Sequence, residues 1–76
     1  MTLYEFRLLS EEEQAQTIWF GQFFLSREDR EYTVLLYKVY DFYVEAYYSN
    51  ESERVVKLNP FSSKERLKLY FSLQLN

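Results

Sequence analysis

The chain contains no histidine and no cysteine. The commonest general base, proton shuttle and imidazole ligand is therefore missing, and so is any thiolate nucleophile. A single glycine, Gly21, rules out a glycine-rich phosphate loop. What remains for chemistry is carboxylate, tyrosine and lysine. Asp41 and Glu45 could be paired acids, but four residues apart on a strand they stand about 13 Å from each other. An inverting carboxylate pair needs roughly 6.5–9.5 Å. Glu11, Glu12 and Glu13 follow one another directly. On a helix they point in different directions, so they cannot converge on one ion. They suit the positive end of a helix dipole instead. Lys38 and Glu45 share one sheet face and read as a diagonal surface ion pair. The expectation is a non-enzymatic protein with no cofactor, no metal and no catalytic residue.

The surplus is aromatic: 8 Tyr, 7 Phe and 1 Trp in 76 residues. Each ring can bury roughly 150–250 Å², so rings can substitute for the disulfides and metals that support other chains of this length. Tyr43 and Tyr47 alternate with Val44 and Ala46 and point away from them. Tyr32, Phe20 and Phe24 fall on the same outward face, with Lys38 beside them. Such a face can bury apolar area while its hydroxyls stay wet, as at protein interfaces. The leading expectation is an interaction module, self-associating as a homo-oligomer or binding a protein partner through these six residues. The alternative is a stacking platform for single-stranded nucleic acid. The net charge of -3 disfavours that alternative. The balance is uneven, because residues 54–76 carry Arg54, Lys57, Lys64, Arg66 and Lys68 against Glu65 alone.

The elements that would position these residues follow from periodicity and caps. Thr2 to Glu5 and Ser10 to Glu13 are capping boxes, predicting helices over 3–9 and 11–17. Ile18–Leu25 reads as strand one. Gly21 within it marks a close approach, by an aromatic such as Tyr37 or by a ligand. Ser26–Glu31 is a polar connection. Tyr32–Ser49 is the densest apolar stretch and reads as two antiparallel strands turning at Tyr40-Asp41. That register puts Leu35, Tyr37, Val39, Phe42, Val44 and Ala46 on one face. Val34, Leu36, Lys38, Tyr43, Glu45 and Tyr47 lie on the other. Tyr40 is poorly suited to positive φ, which leaves a longer loop or a bulge as an alternative. Ser49–Glu53 is a turn with Asn50 as its positive-φ residue, and Arg54–Asn59 is an edge strand ending at Pro60. Ser62 to Glu65 is a third capping box, predicting a helix over 63–72. The competing pattern is a fifth strand over 67–75, where leucines and Phe71 alternate with polar residues.

The sum is a single α+β domain: short N-terminal helices, a four-stranded antiparallel meander and a C-terminal helix. Both sets of helices are expected on the face of Val39, Phe42 and Val44. The longest apolar run is too short to span a bilayer and the N-terminus lacks a basic start with an apolar run, so a soluble, cytoplasmic protein is expected. The phrases LYEF, LSEEEQ, LYKVYDFYVEAYY and NPFSS resemble small uncharacterised bacterial proteins of similar length. That resemblance implies a bacterial, cytoplasmic, single-domain protein and transfers no functional residue. The arrangement of four strands followed by a helix is also similar in architecture to single-strand-binding folds of the transcriptional-coactivator and whirly type.

Overall fold

A computed structural model describes residues 1–74, with side chains described to residue 71. Helix α1 (Leu3–Leu8) and helix α2 (Glu11–Trp19) precede strands β1 (Gln22–Asp29), β2 (Tyr32–Val39), β3 (Phe42–Ser49) and β4 (Arg54–Phe61), and helix α3 (Lys64–Gln74) closes the described chain. The four strands form one antiparallel sheet in the order β1-β2-β3-β4. The architecture is therefore the expected α+β meander. The fifth strand proposed over 67–75 is helix through Gln74, and residue 75 lies outside the described residues.

Local chemistry explains the helix boundaries. Thr2 and Ser10 each accept a hydrogen bond from the backbone N–H three residues on, and Glu5 and Glu13 reach back to the cap nitrogens. These bonds to the charged form hold both carboxyls below the usual carboxylate range. At α3 the cap is Ser63, whose hydroxyl accepts from the Glu65 N–H, one residue later than the expected Ser62 box. No β-branched residue follows Ser62, so helix propensity prevails over the alternating pattern.

Strand one departs from expectation. Ile18 and Trp19 complete α2, Phe20 caps it, and β1 begins only at Gln22. Gly21 is the joint between helix and strand. A Cβ there would lie 2.9 Å from the Lys38 carbonyl oxygen and 3.1 Å from both the Ile18 oxygen and a Val39 methyl. The close approach is thus by backbone and Val39, not by Tyr37. The polar Ser26–Asp29 segment, expected as a connection, is the second half of β1, and only Arg30-Glu31 turns.

The central hairpin has the expected register, with Val39 opposite Phe42, Tyr37 opposite Val44 and Leu35 opposite Ala46. Its two-residue turn is made although Tyr40 must take φ 53°, and Arg30 does the same at φ 59°. In the last turn Glu53, not Asn50, is the positive-φ residue, at 59°. Asn50 is used otherwise, its side-chain oxygen accepting from the Thr33 hydroxyl at 2.9 Å.

The layers also differ from expectation. Helices α1 and α2 cover the face of Val39, Phe42 and Val44, as read from the sequence, through Phe6 and through Ile18, which was expected in strand one. Helix α3 covers the opposite face, where Tyr70 packs with Leu36 and Phe61, and Leu25, Tyr43 and Leu67 surround them. Val34 and Leu36 on that face are as apolar as anything beneath α1 and α2, so it too needs a cover. The sheet is sandwiched, and the face bearing Tyr43 and Tyr47 is not the outside of the molecule.

Candidate functional site

Beneath α3 lies a carboxylate with no exposed surface. Glu45 stands mid-strand on β3, opposite Leu36 on β2 and Asn59 on β4. One oxygen, Oε1, accepts from Asn59 Nδ2 and from Arg66 Nε, both at 2.9 Å. The other, Oε2, accepts from the Tyr70 hydroxyl at 2.5 Å and from Arg27 Nη2 at 3.2 Å. A carboxylate offers about four lone-pair sites, and here four donors fill them. The Tyr47 hydroxyl completes the cluster by accepting from Arg66 Nη2 at 2.9 Å and Arg27 Nη2 at 3.4 Å. Arg27 also lies 3.6 Å from Asp29 and sits over the Tyr70 ring.

Burial pushes the Glu45 carboxyl up, but the hydrogen bonds from Tyr70, Asn59 and Arg66 outweigh it and hold the group below its ordinary value. The Tyr70 hydroxyl is driven the other way, by burial first and then by the adjacent carboxylate, well above the ordinary tyrosine range. Arg27 is stripped of water, yet its bonds to Tyr70 and Glu45 keep it firmly charged. Chemically the carboxylate is saturated, although the buried Arg27 Nε beside it has no hydrogen-bond partner. The carboxylate has no free lone pair and no access to solvent, so its work is to fix α3 on the sheet.

The expected Lys38–Glu45 surface pair does not form. Lys38 stands opposite Tyr43 and is exposed, while Glu45 is buried and paired with Arg27 and Arg66. The signal was present in the sequence: Arg66 and Tyr70 lie four residues apart, hence on one side of a helix. Arg27 was hidden inside a segment read as a loop.

The six expected interface residues separate. Tyr47 is buried in the network and meets Tyr32 edge-to-face at 6.0 Å. Tyr43 is half-buried, stacked on Phe61 at 5.6 Å and touched edge-on by Phe24. Alternation from Phe23 puts Phe24 on this face, and a bulge between Phe23 and Leu25 brings Leu25 to it as well. Phe20 is not on the sheet at all; it caps α2 and projects outward. The premise that nothing covers Tyr43 and Tyr47 fails, because α3 does.

The exposed rings include Phe20 and Phe24 of the expected six but not its tyrosines. Trp19, Phe20 and Tyr40 are 83%, 88% and 63% accessible, and Phe23 and Phe24 are exposed as well. They belong to adjoining segments. Gln22 pairs with Lys38 and Phe23 with Tyr37, so the start of β1 lies beside the β2–β3 turn that carries Tyr40. Phe20 and Tyr40 border one open groove of about 800 Å³, floored by Gly21, Gln22, Lys38 and Val39. Among the described residues no group of three acidic side chains is placed to hold a metal ion, and no helix is long and apolar enough to cross a membrane. Comparison with protein-family models, curated proteins and solved structures gives no match.

Proposed function

We propose that the chain is a non-enzymatic interaction module that self-associates through its aromatic margin, formed by Trp19, Phe20, Phe23, Phe24 and Tyr40. The observation that carries this reading is the exposure of five rings along one corner of so small a domain. Exposed apolar surface concentrated in neighbouring segments in this way marks interaction sites. The adjoining strand supports it. β1 is a sheet edge, and its first half, Gln22–Leu25, has neither charge nor proline. The opposite edge, β4, carries Arg54, Lys57 and Pro60, which discourage pairing. The setting we infer, on the sequence resemblance alone, is bacterial and cytoplasmic.

Sedimentation equilibrium at high micromolar concentration tests the reading. The parent associates, and the Trp19→Ser, Phe20→Ser double variant is monomeric with unchanged denaturant midpoint. A strictly monomeric parent overturns it. A second reading, single-stranded nucleic-acid binding, is favoured by one feature. The part of the tyrosine face beyond α3 is a depression of about 440 Å³ with Arg30 and Lys57 beside Tyr32 and Tyr47. Oligo-dT binding that falls steeply between low and moderate salt is the expected signature of that reading.

A further inference from the structure

The two faces of the sheet are packed in different ways. Under α1 and α2 lie Phe6, Ile18, Val39, Phe42 and Val44, with Leu3, Leu9, Tyr37 and Leu58 around them. Under α3 lie Leu36, Phe61 and Tyr70, and beside them the polar network of Glu45, Arg27, Arg66, Asn59 and Tyr47. Among the side chains described on α3, Tyr70 alone is fully buried; Arg66 and Leu67 are half-buried, and Leu69 and Phe71 are exposed.

The consequences of lifting each layer differ. Removing α1 and α2 bares an apolar core. Removing α3 bares the smaller cluster of Leu36 and Phe61 and takes Arg66 and Tyr70 away from Glu45, and Arg66 away from Tyr47, but Arg27 and Asn59 are on the sheet and stay. Water can fill the two vacated lone pairs, and the Tyr47 hydroxyl keeps Arg27. No buried charge is stranded. Only Ser62 and Ser63 connect α3 to β4, and neither is buried.

We propose that α3 is a hinged cover, which swings off the sheet about Ser62-Ser63 as a unit while the sheet and the first two helices stay folded. The open form uncovers Tyr43, Tyr47, Leu36 and Phe61 with Arg27 among them, the ring face that the closed form hides. The cover is latched by hydrogen bonds to the Glu45 carboxylate and the Tyr47 hydroxyl, so its opening is set by Glu45, Tyr47, Arg66 and Tyr70. This inference stands apart from self-association at the aromatic margin, which uses other residues.

Native-state amide hydrogen exchange on the full chain tests it, because a partial opening is sensitive only to interactions that it breaks. In the parent, amides of residues 68–72 exchange about ten-fold or more faster than those of β2 and β3, with a shallower dependence on denaturant. Val44→Ala weakens the layer that stays folded. It speeds exchange in β2 and β3 by about ten-fold or more and changes α3 by less than about two-fold. Arg66→Gln breaks the latch and speeds exchange in α3. If Val44→Ala does not fold, Val39→Ala on the same face replaces it. Equal acceleration of α3 and sheet by Val44→Ala overturns the proposal, as do α3 amides as slow as those of β3.

Discussion

Glu45 shows how one residue can read as surface and prove to be core. Its alternation with Val44 and Ala46 is real, and it does point away from them. What alternation along one strand cannot reveal is a helix arriving from twenty residues downstream. Removing one member of a buried, hydrogen-bonded ion network costs about 3 kcal/mol or more, since its partners are left uncompensated. Glu45→Ala is therefore expected to lower the stability measured by urea titration by about that amount. On the sequence alone, the same change would have been near neutral. The pH dependence has a definite sign. The folded carboxyl titrates below its ordinary value of 4.5, so the unfolded chain binds the proton first as pH falls. The network's stabilisation is complete above that value and is lost as pH drops through the folded value. Glu45→Gln should flatten this part of the stability–pH curve. Gly21 and Glu53 give the backbone counterparts. Gly21→Ala places a methyl against the Lys38 carbonyl, an overpacking that costs about 1–3 kcal/mol. Glu53→Gly relieves a left-handed residue, and thermal denaturation should show a gain of roughly 0.5–1 kcal/mol.

At the scale of elements, the segments that carried their own chemistry were legible. The capping boxes at Thr2 and Ser10 placed two helix starts, and the alternation from Tyr32 to Ser49 placed the hairpin and its register. The failures lie where local preference yields to packing. Ile18 and Trp19 favour strand, yet Ile18 is needed against Phe6 and Val44, and so α2 runs on through Trp19. Ser26–Asp29 looks like a loop because it is polar, but Arg27 earns a strand position by reaching Glu45. Tyr40 is a poor turn former, but the flanking pairs leave only two residues for the turn. For α3, leucine alternation and helix propensity pointed in opposite directions, and Leu69 separates them. It is exposed, so Leu69→Pro removes little packing. It should nevertheless break the helix at roughly 3 kcal/mol, read as loss of helical carbon shifts over residues 64–72 with strand shifts retained in β2 and β3.

For the whole molecule, the question is where an excess of rings ends up. A sheet with one covered face would have displayed Tyr43 and Tyr47 to solvent. A sheet with two covered faces draws them inward and leaves Trp19, Phe20, Phe23, Phe24 and Tyr40 outside. The two arrangements make opposite predictions for a pair of double variants. Tyr47 is hydrogen-bonded to Arg66 and Tyr43 is stacked on Phe61. Tyr43→Ser with Tyr47→Ser should thus destabilise the fold by at least about 2 kcal/mol, through lost burial and unpaired guanidinium groups. Trp19→Ser with Phe20→Ser removes rings that are more than four-fifths exposed, and should alter stability by no more than about 0.5 kcal/mol. Sedimentation equilibrium adds the second axis. The Trp19, Phe20 variant is the one expected to lose self-association while staying folded. Dissociation by the Tyr43, Tyr47 variant at unchanged stability would return the interface to the tyrosine face and place α3 off the sheet in the associated form.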